Sequence, residues 1–260
     1  METTRIERFL WTVRSLWWRE MVRFYRQPSR VAGALGSPLI FWLLIGSGIG
    51  TSYRSGAGGG SYLEYFFPGT LLLILLFTSI FSTISLIEDR REGFFQSVLV
   101  APVPRSAIVL GKVLGGATLA LSQGILFLLF SPWAGIHLDF MHWLVVLVII
   151  FINAFSLSGL GFLIAWRFRS IQGFHAVMNL FLIPMWLLSG ALFSSAGAFG
   201  WVRMLMTWNP LTYEMRALRL ALTPELESGS LAGSAAIALA FGLCMLVFSA
   251  IAANRPQEGE

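Results

Sequence analysis

Six long stretches of the chain carry no Asp, Glu, Lys or Arg: Val31–Tyr53, Tyr65–Ile87, Val113–Leu138, Phe140–Trp166, Ser170–Val202 and Ser228–Asn254. Each exceeds the ~20 residues with which a helix crosses ~30 Å of hydrocarbon. None alternates with period 2, which excludes barrel strands. Backbone groups in lipid have no water to bond and must be satisfied within the segment, so each run is read as a helix. One charged side chain at mid-span costs about 2.5–3.5 kcal/mol on insertion scales, so six consecutive charge-free windows do not arise by accident.

Composition agrees with the pattern. Hydrophobic residues make up 56% of the 260 and charged residues 12%, roughly half the charged share of a soluble domain. The expected fold is therefore all-α and integral to a membrane, with six transmembrane helices over residues 31–254. The net charge is +5, but the basic residues sit in short tracts between apolar runs rather than over a polar domain. A nucleic-acid partner is excluded on that ground. Lys and Arg number 14 in the N-terminal, second and fourth connections and the tail, against Arg54, Arg203, Arg216 and Arg219 on the other side. The positive-inside rule then places both termini in the cytoplasm, including the tail 255–260. Residues 1–30 are too long and too amphipathic for a cleaved signal. The lone Cys244 permits no disulfide within the chain.

On a helix over residues 5–26, Ile6, Phe9, Leu10, Val13, Leu16, Trp17, Met21 and Phe24 share one arc. Arg5, Arg8, Thr12, Ser15, Arg19, Arg23 and Arg26 share the opposite arc. That pattern predicts an amphipathic helix in the membrane interface, in contact with lipid. Glu20 breaks it by falling on the apolar arc, where an unpaired carboxylate is costly. It either snorkels or meets a partner protein.

Residues 88–112 are richer than a plain loop requires. Glu88, Asp89, Arg90, Arg91 and Glu92 lead into the i,i+4 apolar pairs Phe94/Val98 and Phe95/Leu99, which predict a short amphipathic helix stopped by Pro102 and Pro104. A charged lead-in with an apolar face is the pattern of a docking element. The run Glu88-Asp89-Arg90-Arg91-Glu92-Gly93, then Leu99-Val100-Ala101-Pro102 and Arg105 to Gly111-Lys112, resembles the coupling segment of type-two ATP-binding-cassette export permeases. Leu188-Ser189-Gly190-Ala191-Leu192-Phe193 and Trp208-Asn209-Pro210-Leu211-Thr212-Tyr213 are similar to further motifs of that family. Its members include daunorubicin-resistance, nodulation lipo-oligosaccharide and polysaccharide-export permeases. Ser194 departs from the proline that many relatives place there.

The resemblance implies a permease dimer, of two copies or of close homologues, bound to two separate ABC ATPase subunits in a bacterial plasma (inner) membrane. It implies that Glu20, Glu88, Asp89, Arg90, Arg91, Glu92, Phe94, Phe95, Leu99 and Arg105 couple the chain to the ATPase. Cargo would pass between the subunits along spans two and five. ATP and Mg would belong to the partner, with no cofactor and no catalytic residue here. The residues support that division independently. No Gly-x-x-x-x-Gly-Lys-[Ser/Thr] phosphate loop exists in the chain, and the spans lack the acids and bases that carry protons in secondary transporters.

In span two, Phe77 and Phe81 alternate with Thr78, Ser79, Ser82 and Thr83, hydroxyls that equally suit close helix packing. Span five carries Asn179, Met185, Trp186 and Leu188, with a kink expected at Pro184. Phe77, Thr78, Phe81, Asn179, Met185, Trp186 and Leu188 are the expected cargo path for an amphipathic drug, a lipid or a lipid-linked saccharide. The external segment 194–229 is expected to turn back early and then form an amphipathic helix, Thr212–Leu222, with Glu214, Arg216 and Arg219 on its polar side. A rival reading makes the chain an intramembrane enzyme using His137, Asp139 and His142. The two histidines are five apart rather than i,i+4, and no third metal ligand accompanies them.

Overall fold

The computed structural model describes residues 5–49, 61–94, 103–223 and 228–254, and the regular elements among them are all helical. Ten α-helices follow in order: α1 (Arg5–Tyr25), α2 (Pro28–Ile49), α3 (Tyr62–Ser82), α4 (Ile84–Arg91), α5 (Arg105–Leu128), α6 (Phe140–Ala165), α7 (Ile171–Trp186), α8 (Gly200–Trp208), α9 (Pro210–Leu222) and α10 (Ser228–Asn254). Among the described residues five stretches are long and apolar enough to cross a membrane: Tyr62–Arg91, Arg105–Leu128, Phe140–Ala165, Ile171–Ala191 and Gly229–Asn254. The first expected span appears as α2, whose apolar part, Leu35–Ile49, is shorter than the rest. Phe95, Leu99 and most of the expected coupling helix lie outside the described residues.

The central helix is α3, which packs against α2, α5 and α6. Ser61 caps it by accepting from the Glu64 N–H at 3.4 Å. Of its most apolar window, 83% is buried, against 22% for Ile171–Ala191 and 17% for Gly229–Asn254. Those two outer spans therefore turn most of their surface away from this chain.

Three span boundaries differ from expectation by several residues; one is the end of the Ser170–Val202 run, whose span stops at Ala191. The helix that follows the segment after α4 begins at Arg105, not Val113, and holds Lys112 buried inside it. A search for charge-free runs necessarily stops short of a buried, paired lysine. The same helix ends at Leu128 rather than Leu138: Ser131–Ala134 forms a 3-10 turn with Pro132 in its first turn, and Gly135 follows at φ +84°. Proline there removes a helix donor and obstructs the preceding turn.

The N-terminal helix is not simply a lipid-facing amphipath. It lies along α5 in the same chain direction, with Leu16 and Val13 beside Gly111 and Glu20 beside Gly115. The Trp17 indole N–H donates to Thr118 at 3.0 Å, and the Tyr25 hydroxyl to Ser122 at 3.2 Å. A Cβ at Gly115 would stand 2.9 Å from the Glu20 Cβ, so the missing side chain is what lets α1 approach. Leu16, Met21 and Phe24 are buried, whereas Ile6, Leu10, Trp11 and Trp18 remain exposed.

Candidate functional site

At the α1 end of the bundle, six charged side chains from three helices form one cluster. Lys112 of α5 donates to Glu20 at 2.6 Å, to Ser85 at 3.1 Å and to Asp89 at 2.5 Å. Its three ammonium protons are thus all used. Asp89, fully buried, also receives Arg19 at 2.6 and 2.9 Å and Arg23 at 2.8 Å. Arg23 reaches on to Glu88 at 2.7 Å. Three cations (Arg19, Arg23, Lys112) face three carboxylates (Glu20, Glu88, Asp89), so the cluster is neutral. Burying ions is tolerable only with such complete pairing.

The anomaly of Glu20 is thereby resolved. Its partner is Lys112 of the same chain. Arg19 and Arg23, expected to face lipid headgroups, turn inward to Asp89. The signal for Lys112 was present in the sequence as the only lysine among 18 basic residues. Around the cluster, the Arg19 guanidinium lies over the Phe94 ring at 3.6 Å. Arg90 donates to the Trp166 carbonyl at 2.9 Å, and Arg105 to the Ala253 carbonyl at 2.8 Å. Arg91 and Glu92 are exposed.

Beside the cluster opens a cavity of about 500 Å³, within the size range of small-molecule sites. Phe24, Phe77, Phe81, Ile84 and Ile171 supply its apolar wall, Ser37, Thr78 and Ser82 its hydroxyls, and Glu88 and His175 its titratable groups. Phe77 and Phe81 stack at 5.3 Å, and His175 meets Phe81 edge-on at 5.2 Å. The Thr78 hydroxyl has no hydrogen-bond partner within the described residues. Of the expected cargo path, then, Phe77, Thr78 and Phe81 come together in one cavity. Asn179, Met185, Trp186 and Leu188 do not line it. Asn179 is exposed on the outer face of α7. Trp186 is buried, its indole N–H donating to the Gly69 carbonyl at 2.8 Å. Ser79 packs rather than lines, donating to the Ala154 carbonyl at 3.2 Å.

At the opposite end, α7 breaks. Leu187–Ala191 forms a π turn with Gly190 at φ +89°, a left-handed conformation that costs glycine little. The break frees carbonyls that a helix would have used. Side chains from the following hairpin take them up: Asn209 donates to the Met185 carbonyl at 2.6 Å, Thr212 to Leu188 at 3.2 Å and Arg219 to Gly190 at 3.0 Å. Tyr62 of α3 donates to Leu192 at 3.2 Å. Asn209 serves twice, since its carbonyl oxygen also caps α9 through the Leu211 N–H at 3.1 Å. Arg219 additionally lies over the Tyr65 ring at 4.3 Å.

The hairpin departs from expectation at Glu214, which is fully buried rather than on the polar face with exposed Arg216. Its carboxyl meets the Ser156 hydroxyl, and its backbone carbonyl accepts from Asn153 at 3.2 Å. Neither residue of α6 stood out in the sequence, because an uncharged polar residue in a span attracts no notice beside many serines.

Asp139 caps α6 by accepting from the His142 N–H at 2.8 Å and also contacts its ring. Those hydrogen bonds hold its carboxyl below the usual carboxylate range. His137 meets the Gly135 carbonyl at 3.2 Å. Among the described residues no three metal-ligating side chains converge.

These parts define a helical membrane protein with a neutral ion cluster at one end, a cavity next to it and a clasped helix break at the other. A family model described as ABC-2 type transporter matches residues 12–223, and the chain belongs to that family. It is 27% identical over 219 residues to the inner membrane transport permease YadH of Escherichia coli (strain K12), covering 80% of this chain and 81% of that protein. Nodulation protein J of Rhizobium meliloti (strain 1021) is 24% identical over 215 residues, 80% of each chain. The daunorubicin resistance ABC transporter permease protein DrrB1 of Streptomyces coeruleorubidus is 22% identical over 214 residues, 78% of this chain and 71% of that one. The matched range takes in the ion cluster, the cavity-lining helices α3 and α7, and the clasp.

Proposed function

We propose that this chain is the permease subunit of an ATP-driven exporter, energised by separate ABC ATPase subunits. The observation that carries the reading is the Glu20–Lys112–Asp89–Arg19 cluster. It joins α1 to the two ends of the segment 88–112, through Asp89 of α4 and Lys112 of α5, in a chain that has no phosphate loop of its own. A push on the segment after Arg91 is passed through paired charges to α1 and to the base of α5. In this reading Arg91 and Glu92, which are exposed, touch the ATPase, while Glu20 and Asp89, which are buried, transmit.

Glu88 and Phe24 belong to the α1 end and also line the cavity, so movement there reshapes the cargo site. The aromatic wall with a few hydroxyls suits an amphipathic drug, lipid or lipid-linked saccharide. The weakly covered α7, with Asn179 exposed in mid-span, is where a second permease copy would sit. A polar amide in lipid needs such a partner. In this reading α2 is the first of six spans, and both termini face the cytoplasm of a bacterial inner membrane.

The test is co-expression with candidate ABC ATPases and reconstitution of the purified assembly in lipid. Expected is a stable complex whose ATPase rate drops in a Glu88→Ala/Glu92→Ala variant, and whose cargo preference shifts in Phe81→Ala. A chain that binds no ATPase and moves solute alone would sink the proposal.

A further inference from the structure

Glu214 is the one acid among the described residues that is fully buried with no cation against it. The elements packed on α9 are α3, α6, α8, α10 and the π turn. Of these, α10 carries no acid or base beyond the exposed Cys244, and α6 only His142 in its first turn, engaged with Asp139. The near end of α3 brings exposed Glu64 with Tyr62 and Tyr65, and α8 brings exposed Arg203. On α9 itself Tyr213 donates to the Thr207 carbonyl, Arg216 is exposed, and Arg219 is held by Gly190 and Tyr65.

The protons around Glu214 can be counted. The Ser156 hydroxyl lies 2.9 Å from the Asn153 carbonyl and also meets a Glu214 carboxyl oxygen. A hydroxyl donates once. If Ser156 donates to Glu214, the buried carboxyl is either ionised on a single neutral hydrogen bond or carries its proton on the other oxygen, which has no partner. Either arrangement is penalised in a low-dielectric interior. If Ser156 donates to Asn153, its contact with Glu214 requires a proton from the carboxyl. Only the second assignment leaves neither an uncompensated charge nor a buried proton without an acceptor.

We propose that Glu214 is a proton-binding site: it is held as a neutral carboxylic acid that donates to Ser156, and its proton seats α9 against α6. The chain of donors then runs from Glu214 to Ser156 to the Asn153 carbonyl, with the Asn153 amide returning to the Glu214 carbonyl. Burial pushes the carboxyl up to about 8, against the opposing pull of Ser156. The helix seated in this way is the one whose Thr212 and Arg219 clasp the π turn. Loss of the proton therefore loosens the clasp. The inference needs neither an ATPase nor a cargo.

Infrared spectroscopy of the purified chain in lipid nanodiscs tests it, with wild type prepared both unlabelled and with isotope-labelled glutamate. Expected at neutral pH is a protonated-carboxyl stretch that moves on labelling and disappears in strongly alkaline buffer. It should be absent from Glu214→Gln and shifted but retained in Ser156→Ala. A wild-type spectrum at neutral pH with no label-sensitive protonated band overturns the proposal, whether or not the variants fold. So does a band that survives in Glu214→Gln.

Discussion

The Lys112 ammonium and the Glu20 carboxylate, 92 positions apart in the chain, meet at 2.6 Å with both side chains buried. Their pairing depends on two glycines of α5 that let α1 lie close, and on Asp89 sharing the same ammonium. Removing one member of such a set leaves the others buried and uncompensated, which typically costs about 3–5 kcal/mol. Lys112→Met is expected to fall in that range in thermal unfolding of the purified chain. Glu20→Met/Lys112→Met is expected to recover part of the loss, since apolar pairs of similar volume often replace buried ion pairs without penalty. A double variant that loses the sum of the two single losses would show that the pair is not coupled.

Gly115 tests the approach of α1 by size alone. Gly115→Ala places a methyl 2.9 Å from the Glu20 Cβ, whereas Gly33→Ala meets nothing within 4 Å. Overpacking of a tight contact typically costs about 1–3 kcal/mol. Gly115→Ala is expected to lower the melting temperature and to change Trp17 emission, because the indole loses its place beside Thr118. Gly33→Ala is expected to do neither. Equal behaviour of the two would rule out close α1–α5 packing.

Arg219 and Tyr65 offer a clean cycle at the other end. The guanidinium holds the Gly190 carbonyl and lies over the ring, so Arg219→Gln and Tyr65→Leu remove overlapping contacts. Their coupling energy in a double-mutant cycle is expected at about 0.5–2 kcal/mol, the range of cation–π pairs. A coupling of zero would mean that Tyr65 does not hold Arg219 on the π turn.

Much of this architecture was legible from charge spacing. Long charge-free runs located five spans, and the arc of Leu16, Met21 and Phe24 located the buried face of α1. The rule failed where a charge was buried in a pair: Lys112 truncated α5, and Arg19 and Arg23 were assigned to lipid. Periodicity reports which face a residue occupies, not whether a partner on another helix has neutralised it. Glu214 was misplaced for the related reason that α9 is covered on two sides by α6 and α10, so its charged positions do not define a wet face. Phe77, Thr78 and Phe81 line one cavity. Trp186 did not join them, because the π turn and the Gly69 carbonyl draw it into the packed interior.

Protonation of Glu214 also fixes how stability responds to pH. Its carboxyl is held near 8 in the seated hairpin, and it returns to its ordinary value of 4.5 once α9 leaves α6 and the group meets water. The seated state therefore binds more protons than the released state between those values, and its stability falls as pH rises across them. The contribution is fully present below 4.5 and is lost as pH climbs through about 8. Melting temperatures of the chain in nanodiscs are expected to decline from mildly acidic to mildly alkaline buffer. Glu214→Gln, which keeps the shape and a hydrogen-bond donor but cannot ionise, is expected to flatten that decline. An unchanged slope in the Gln variant would assign the pH dependence to other groups and separate it from the hairpin.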